Sequence, residues 1–329
     1  MSSTADRQRT LWRLALLSLA TAVVAAVAYI LTVSTRAGQL MGELILGGRP
    51  VTGNDVAAAE RALEVVSRSS LVVGTLVAIV IAGFQRKPRL AFIAILAIIG
   101  ANVSSQLLKY FVLDRSDLLD GMFYPLPNSF PSGHTTAAAS IAVALILVLP
   151  PLLRVPAVPL AAAMVAFLGV STVVAGWHRM ADAIGGVYLA TAWGAGLAAA
   201  LVWKRGTDHV GHRTAVAGRI TALLALIMGF GLTALGLIGY LVILADPLDV
   251  LDYLASRGGS PAAFAVGVLL TVGSSLLALG ALGFVLRGTT LDPVGGTASK
   301  PASEHLQRPG GGTRHDGPPR AGIDGPRSG

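Results

Sequence analysis

Pro131-Ser132-Gly133-His134 opens, and His178-Arg179-Met180-Ala181-Asp182 closes, a stretch dominated by Ala, Val, Leu, Ile and Gly. Two segments inside it, His134 to Leu153 and Val158 to Trp177, are long and apolar enough to read as membrane helices. A histidine stands at an end of each. Polar groups beside such segments are costly and are kept where they do something. Reading this stretch as two helices of a membrane bundle decides the fold class.

Working outward, the same pattern recurs. Upstream lie Leu11 to Val33, Ser69 to Phe84 and Leu90 to Leu113; downstream lie Ala181 to Trp203, Ile220 to Ala245 and Pro261 to Leu286. The expectation is therefore an all-α, polytopic membrane helix bundle with eight spans. Ala26-Val27-Ala28 resembles a signal-peptide cleavage site, but the first apolar run is longer than a usual signal core and reads as a retained helix. Residues 1–10 form a polar N-terminal tail. Residues 34–68 read as a long polar connection holding one short surface helix, capped by Asn54 or Asp55, with Val56, Leu63 and Val66 as its apolar positions. A loop over 114–133 is punctuated by Pro125, Pro127 and Pro131. Residues 204–219 read as a basic connection. From 288 to 329 the chain is Gly, Pro, Ser and charge without apolar periodicity, the composition of a disordered tail.

Composition agrees with this reading and removes several function classes. The 329 residues are 53% hydrophobic and 13% charged, with a mean hydropathy of +0.70. The net charge of +8 is the mark of basic cytoplasmic loops rather than of nucleic-acid binding. No cysteine is present, which excludes disulfides, thiolate catalysis and cysteine metal sites. With the N-terminus inside, 17 of the 25 Lys and Arg residues are cytoplasmic and 8 are not. That orientation puts Lys109, Arg115, His134, His178 and Asp182 on the extracytoplasmic face of the cell membrane.

Those five residue types suit phosphate chemistry. His178 and Asp182 are four apart and so share one face of a helix, where the carboxylate can accept the imidazole N–H, fix its tautomer and leave the other nitrogen as a nucleophile. The same pair also fits a helix start in which Asp182 only caps. Ser132 can cap the helix that follows it, Gly133 lets a ligand approach the backbone, and the free N–H groups there favour an anion. Lys109 and Arg115 can neutralise phosphate oxygens, or can anchor a helix end at the interface.

The ordered set resembles the type-2 phosphatidic acid phosphatase superfamily. Its three motifs read here as Lys109 to Arg115-Ser116, Pro131-Ser132-Gly133-His134, and Ser171-Thr172 followed by His178 and Asp182. The resemblance covers roughly residues 70–203 and implies a six-helix phosphatase core, residues 11–204 with its motifs inside 109–182. Residues 205–287 would then be an additional helix pair. It implies a metal-independent, cofactor-free phosphomonoesterase. In that scheme His178 attacks phosphorus, Asp182 orients it and His134 protonates the leaving group, while Lys109, Arg115, Ser132 and Gly133 hold the phosphate. The implied substrates are membrane lipid phosphate monoesters or polyprenyl diphosphates. A lipid-phosphate binding or transport protein on the same fold is the alternative. Three departures stand out: Ser116 replaces a proline, the Lys109 to Arg115 gap is five residues instead of six, and Thr172 replaces an arginine.

Overall fold

The computed structural model describes residues 4–64, 68–120, 128–245, 250, 252 and 259–293. Val66, Pro125, Pro127 and the tail from 294 onward lie outside them. The described residues form ten α-helices and a two-stranded ribbon. In chain order they are α1 (Thr4–Thr32), α2 (Arg36–Gly47), α3 (Gly53–Glu64), α4 (Arg68–Phe84), α5 (Pro88–Leu107), α6 (Gly133–Val148), α7 (Pro151–Val174), α8 (Met180–Arg205), α9 (His212–Leu244) and α10 (Pro261–Leu286). The strands are β1 (Thr207–His209) and β2 (Thr289–Leu291), paired antiparallel.

The helix starts follow from local chemistry. Pro88, Pro151 and Pro261 each stand at the beginning of a helix, where a missing N–H costs nothing and a fixed φ is already helical. Ser132 and Ser260 cap α6 and α10 through bonds from the backbone N–H of Thr135 and Ala263, each at 3.3 Å. Long outer faces of α1 and α9 expose Leu16, Leu19, Ile30, Ile227, Phe230 and Leu241. In water such faces would be a liability, whereas in a bilayer they meet lipid tails. Six described helices are long and apolar enough to cross a membrane, or seven if α3 and α4 count as one bent span. With 16 residues, α6 is the short member, about 24 Å by helical rise. The chain is a multi-pass integral membrane protein.

Hydrogen bonds between connections show which helix ends meet. At one end the Tyr29 hydroxyl donates to the Asp114 carbonyl (2.5 Å), Gln39 Nε2 to the Ser116 carbonyl (2.7 Å), and Ser260 N to the Leu44 carbonyl (3.1 Å). At the other end Arg7 Nε donates to Val202 O (3.2 Å), Gln85 Nε2 to Val148 O (2.6 Å) and Lys87 Nζ to Leu291 O (2.9 Å). Thus α1 and α4 to α10 alternate in direction. Arg7, Arg9, Arg86, Lys87, Lys204 and Arg287 all gather at the second end.

Several expectations need correction. The 34–68 connection contains two helices rather than one. The missed α2 buries Leu40, Met41, Leu44 and Ile45 on one face. Its N-cap Thr35 accepts from Gly38 N. At α3 the capping oxygen is Thr52 Oγ1, accepting from Asp55 N at 3.3 Å, instead of Asn54 or Asp55. Helix α7 begins at Pro151 and absorbs Arg154, which is buried and donates to the carbonyls of Leu147 and Thr289. The expected spans, ending at Leu153 and resuming at Val158, left Arg154 in the connection between them; backbone carbonyls at helix ends give it a buried alternative. Helix α9 likewise takes in the second half of the expected basic connection, from His212 onward. Residues 288–293 belong to the fold, with Leu291 fully buried, which corrects the expected disorder for these six; the rest of that segment lies outside the described residues.

Candidate active site

The turn that ends α7 sets the position of His178. Gly176 adopts φ +76°, the left-handed conformation that glycine reaches without a Cβ clash. Its N–H donates to Val173 O (2.9 Å) and that of Trp177 to Thr172 O (3.0 Å). This double closure satisfies the last carbonyls of the helix. His178 N adds a bond to the same Thr172 carbonyl at 3.2 Å. A Cβ on Gly176 would also come within 3.1 Å of the Arg49 guanidinium.

Helix α8 starts two residues later and carries Asp182 at its third position. The fully buried carboxylate uses Oδ2 three times. It accepts from Arg179 N (3.0 Å), from Ser129 Oγ (2.5 Å), and faces His178 Nδ1 at 3.2 Å. Both sequence alternatives for Asp182 are therefore realised at once: it caps α8 and holds the imidazole. One expectation is corrected. His178 and Asp182 do not share a helical face, because His178 lies in the turn before α8 and the pair closes across the helix start. With Nδ1 engaged, Nε2 is the nitrogen left for chemistry.

The start of α6 is fastened to the start of α8. Ser132 N donates to the Asp182 carbonyl at 2.8 Å. Close approach of the two helices requires Gly186, where a Cβ would sit 3.0 Å from both Ser132 O and Thr136 N. Ser132 is fully buried, and its Oγ accepts from both Thr135 N and Thr135 Oγ1. Its side chain thus faces its own helix, and the exposed part of the terminus is Gly133 and His134. The His134 ring lies 6.4 Å from the His178 ring and 5.3 Å from Trp177, centroid to centroid.

Cations complete the cluster. Lys109 sits in a π-helical turn, Leu108–Val112, that prolongs α5. Asn128 Nδ2 donates to the carbonyls of Lys109 (3.3 Å) and Leu113 (3.0 Å), closing that turn against the residues just before α6. Beside it Tyr110 and Phe111 are strongly exposed, as expected of aromatics at a membrane surface. Arg115 Nη2 meets Glu43 Oε1 of α2 at 3.2 Å, and Arg179 Nε reaches the same oxygen at 2.8 Å. Burial and the neighbouring Arg179 lower the Arg115 pKa from its ordinary value. A cavity of about 50 Å³ is lined by Arg115, Arg179 and Asp182 together with Tyr240 of α9 and Leu270 of α10.

All seven expected residues, Lys109, Arg115, Ser132, Gly133, His134, His178 and Asp182, stand at one end of the bundle. Sequence reasoning missed Glu43, Ser129 and the extent to which Arg179 joins Arg115. Thr172 does not supply the absent cation: it is fully buried and donates to Gly169 O at 2.7 Å. Beside Lys109 and Arg115, the third cation of the cluster is Arg179.

Glu43 offers a direct test of this arrangement. Its carboxylate is the described partner of two arginines whose side chains are 8% and 7% exposed. Removing one member of a buried charge cluster leaves the others uncompensated, at a cost of about 3 kcal/mol. Glu43→Ala is expected to lose about that much stability in a reversible denaturation series, with Glu43→Gln intermediate. An unchanged transition would mean the arginines draw little from Glu43.

Residues 90–206 match the sequence profile of the PAP2 superfamily. Among solved structures the chain is similar to one described as the first transmembrane PAP2-type phosphatidylglycerolphosphate phosphatase from Bacillus subtilis. The identity is 20% and the TM-score 0.42, over 59% of this chain and 95% of that one. Among curated protein sequences none matches significantly.

Proposed function

We propose that the chain is a metal-independent membrane phosphatase. Its substrates are lipid phosphate monoesters or polyprenyl diphosphates, hydrolysed at the extracytoplasmic face of the cell membrane through a phosphohistidine on His178. The observation that carries this reading is the pairing of His178 Nδ1 with a buried Asp182, with a second imidazole, that of His134, 6.4 Å away between ring centroids. The PAP2 match over the segment holding both histidines supports it.

In this scheme the phosphate lies against Lys109, Arg115 and the N–H groups of Gly133 and His134, with Arg179 adding charge from behind. Ser132 serves by capping the helix terminus that binds the anion. His178 Nε2 attacks phosphorus and the P–O bond to the alcohol breaks. His134 gives its proton to the leaving oxygen. Asp182 stabilises the imidazolium that forms. Water then attacks phosphorus, His134 takes its proton, and the P–N bond returns its electrons to His178. A transporter would place its charges at mid-membrane in broken helices; these lie at helix ends beside interfacial aromatics.

A lipid substrate requires the site to face a bilayer surface. Basic residues at the opposite end support a cytoplasmic N-terminus. Reporter fusions after residues 120 and 210 are expected to report opposite sides, the first extracytoplasmic. The same side for both would contradict the eight-span arrangement. Turnover is tested by phosphate release from a panel of lipid and prenyl phosphates by purified protein, with and without chelator. Release that survives the chelator is expected; release abolished by it would contradict the metal-independent scheme.

A further inference from the structure

At the end of the bundle opposite the histidines, α1, α9, the end of α10 and the β1–β2 ribbon border an open cavity of about 350 Å³. Arg9, Arg13, Arg219 and Arg287 line it, with His209 and His212. Asp6 is the carboxylate in the wall, and it is engaged with Arg9 (3.6 Å) and His209 (3.4 Å). Among the described residues no carboxylate forms an ion pair with Arg13, Arg219 or Arg287. Every lining residue falls outside the segment 90–206 that matches the PAP2 profile.

Arg287 is held in place. Its guanidinium lies over the Phe284 ring at 3.8 Å and donates to the Phe284 carbonyl. Its Cβ packs where Gly218 leaves room, since a Cβ on Gly218 would stand 3.4 Å away. Burial, then the charges of Arg13 and Arg219, lower its pKa. Three arginines, one each from α1 and α9 and one at the C-cap of α10, thus repel one another around a hollow, a cost an anion would relieve. A guanidinium fork matches phosphate oxygens bidentately.

We propose that this cavity is a binding site for the phosphate of an anionic phospholipid headgroup, separate from the histidine site. A soluble phosphate compound offers the same chemistry, but the surroundings favour lipid. Trp12 and Trp203 are 59% and 66% exposed at this end, as aromatics at the headgroup level are. Val216 and Ile220 expose apolar surface on either side of Arg219, where acyl chains would leave the headgroup.

The test uses the full chain, delipidated in detergent and titrated with phosphatidylglycerol or phosphatidylcholine, bound lipids being resolved by native mass spectrometry. Phosphatidylglycerol is a phosphodiester, so a phosphomonoesterase site would not consume it. The combined variant Arg13→Gln, Arg219→Gln, Arg287→Gln is expected to bind it at least about tenfold more weakly, because each arginine near an anionic headgroup contributes roughly fivefold. Phosphatidylcholine adducts should not change. Val216→Asp leaves all three arginines in place and sets a carboxylate three residues before Arg219. It should produce the same selective loss without disturbing the topology signals. Undiminished phosphatidylglycerol binding by Val216→Asp and the combined variant would overturn the site. Binding of inorganic pyrophosphate that depends on these arginines, with no preference for phosphatidylglycerol, would overturn the lipid assignment.

Discussion

His178→Ala is expected to lose turnover by roughly 10⁴-fold or more while still binding substrate. A nucleophile splits one difficult displacement into two easier ones, and no described neighbour is placed to replace it. Lys109, Arg115, Arg179 and the α6 N-terminus remain to hold the phosphate, so the dissociation constant for a phosphate ester should move little. Asp182→Asn should fall between this variant and the wild type. It keeps a side-chain oxygen for the α8 cap but weakens stabilisation of the imidazolium. Single-turnover kinetics beside equilibrium binding separates the two quantities. A His178→Ala protein that turns over normally would remove the enzyme reading and favour a binding or transport role.

The second large effect belongs to His134 and depends on the leaving group. An alkoxide leaves poorly without a proton, and positioned acids supply about 10² to 10⁴ in rate. His134→Ala should therefore lose about 10²-fold or more on an alkyl phosphate. On p-nitrophenyl phosphate, whose phenolate leaves unaided, the loss should stay within about tenfold. The comparison is made on one preparation, so misfolding would depress both substrates alike. Equal losses on both would place His134 in binding or folding rather than proton transfer.

Much of this site was legible before any coordinates. Each of the eight apolar segments becomes a helix, and six of these helices are long and apolar enough to cross a membrane, because hydrocarbon length and hydropathy constrain a membrane chain strongly. His134, His178 and Asp182 come together because each stands beside a break between two such helices. What escaped the sequence had weaker signals. Helix α2 lies in a polar connection, and its apolar positions Leu40, Met41, Leu44 and Ile45 repeat with a helical period over only 12 residues. That periodicity was the available clue, and Glu43 went unseen with it. Arg179 follows His178 directly, and two successive helical residues would point apart. The pair is instead at a helix start, where Arg179 is extended and turns toward Glu43. Ser129 gave no signal, since its bond to Asp182 spans 53 residues of sequence. The earlier starts of α7 and α9 were hidden by Arg154 and by the basic residues after Gly206, which read as loop in a hydropathy profile.

The central claim is that His178 carries the phosphoryl group. Rapid acid-free denaturation of protein mixed with ³²P-labelled lipid phosphate, followed by proteolysis and peptide sequencing, tests it directly. The account predicts an acid-labile, alkali-stable label on the peptide containing His178, absent from His178→Ala and more abundant when hydrolysis is slowed. Full turnover by wild-type protein with no trapped label, or a label that persists in His178→Ala, would contradict it.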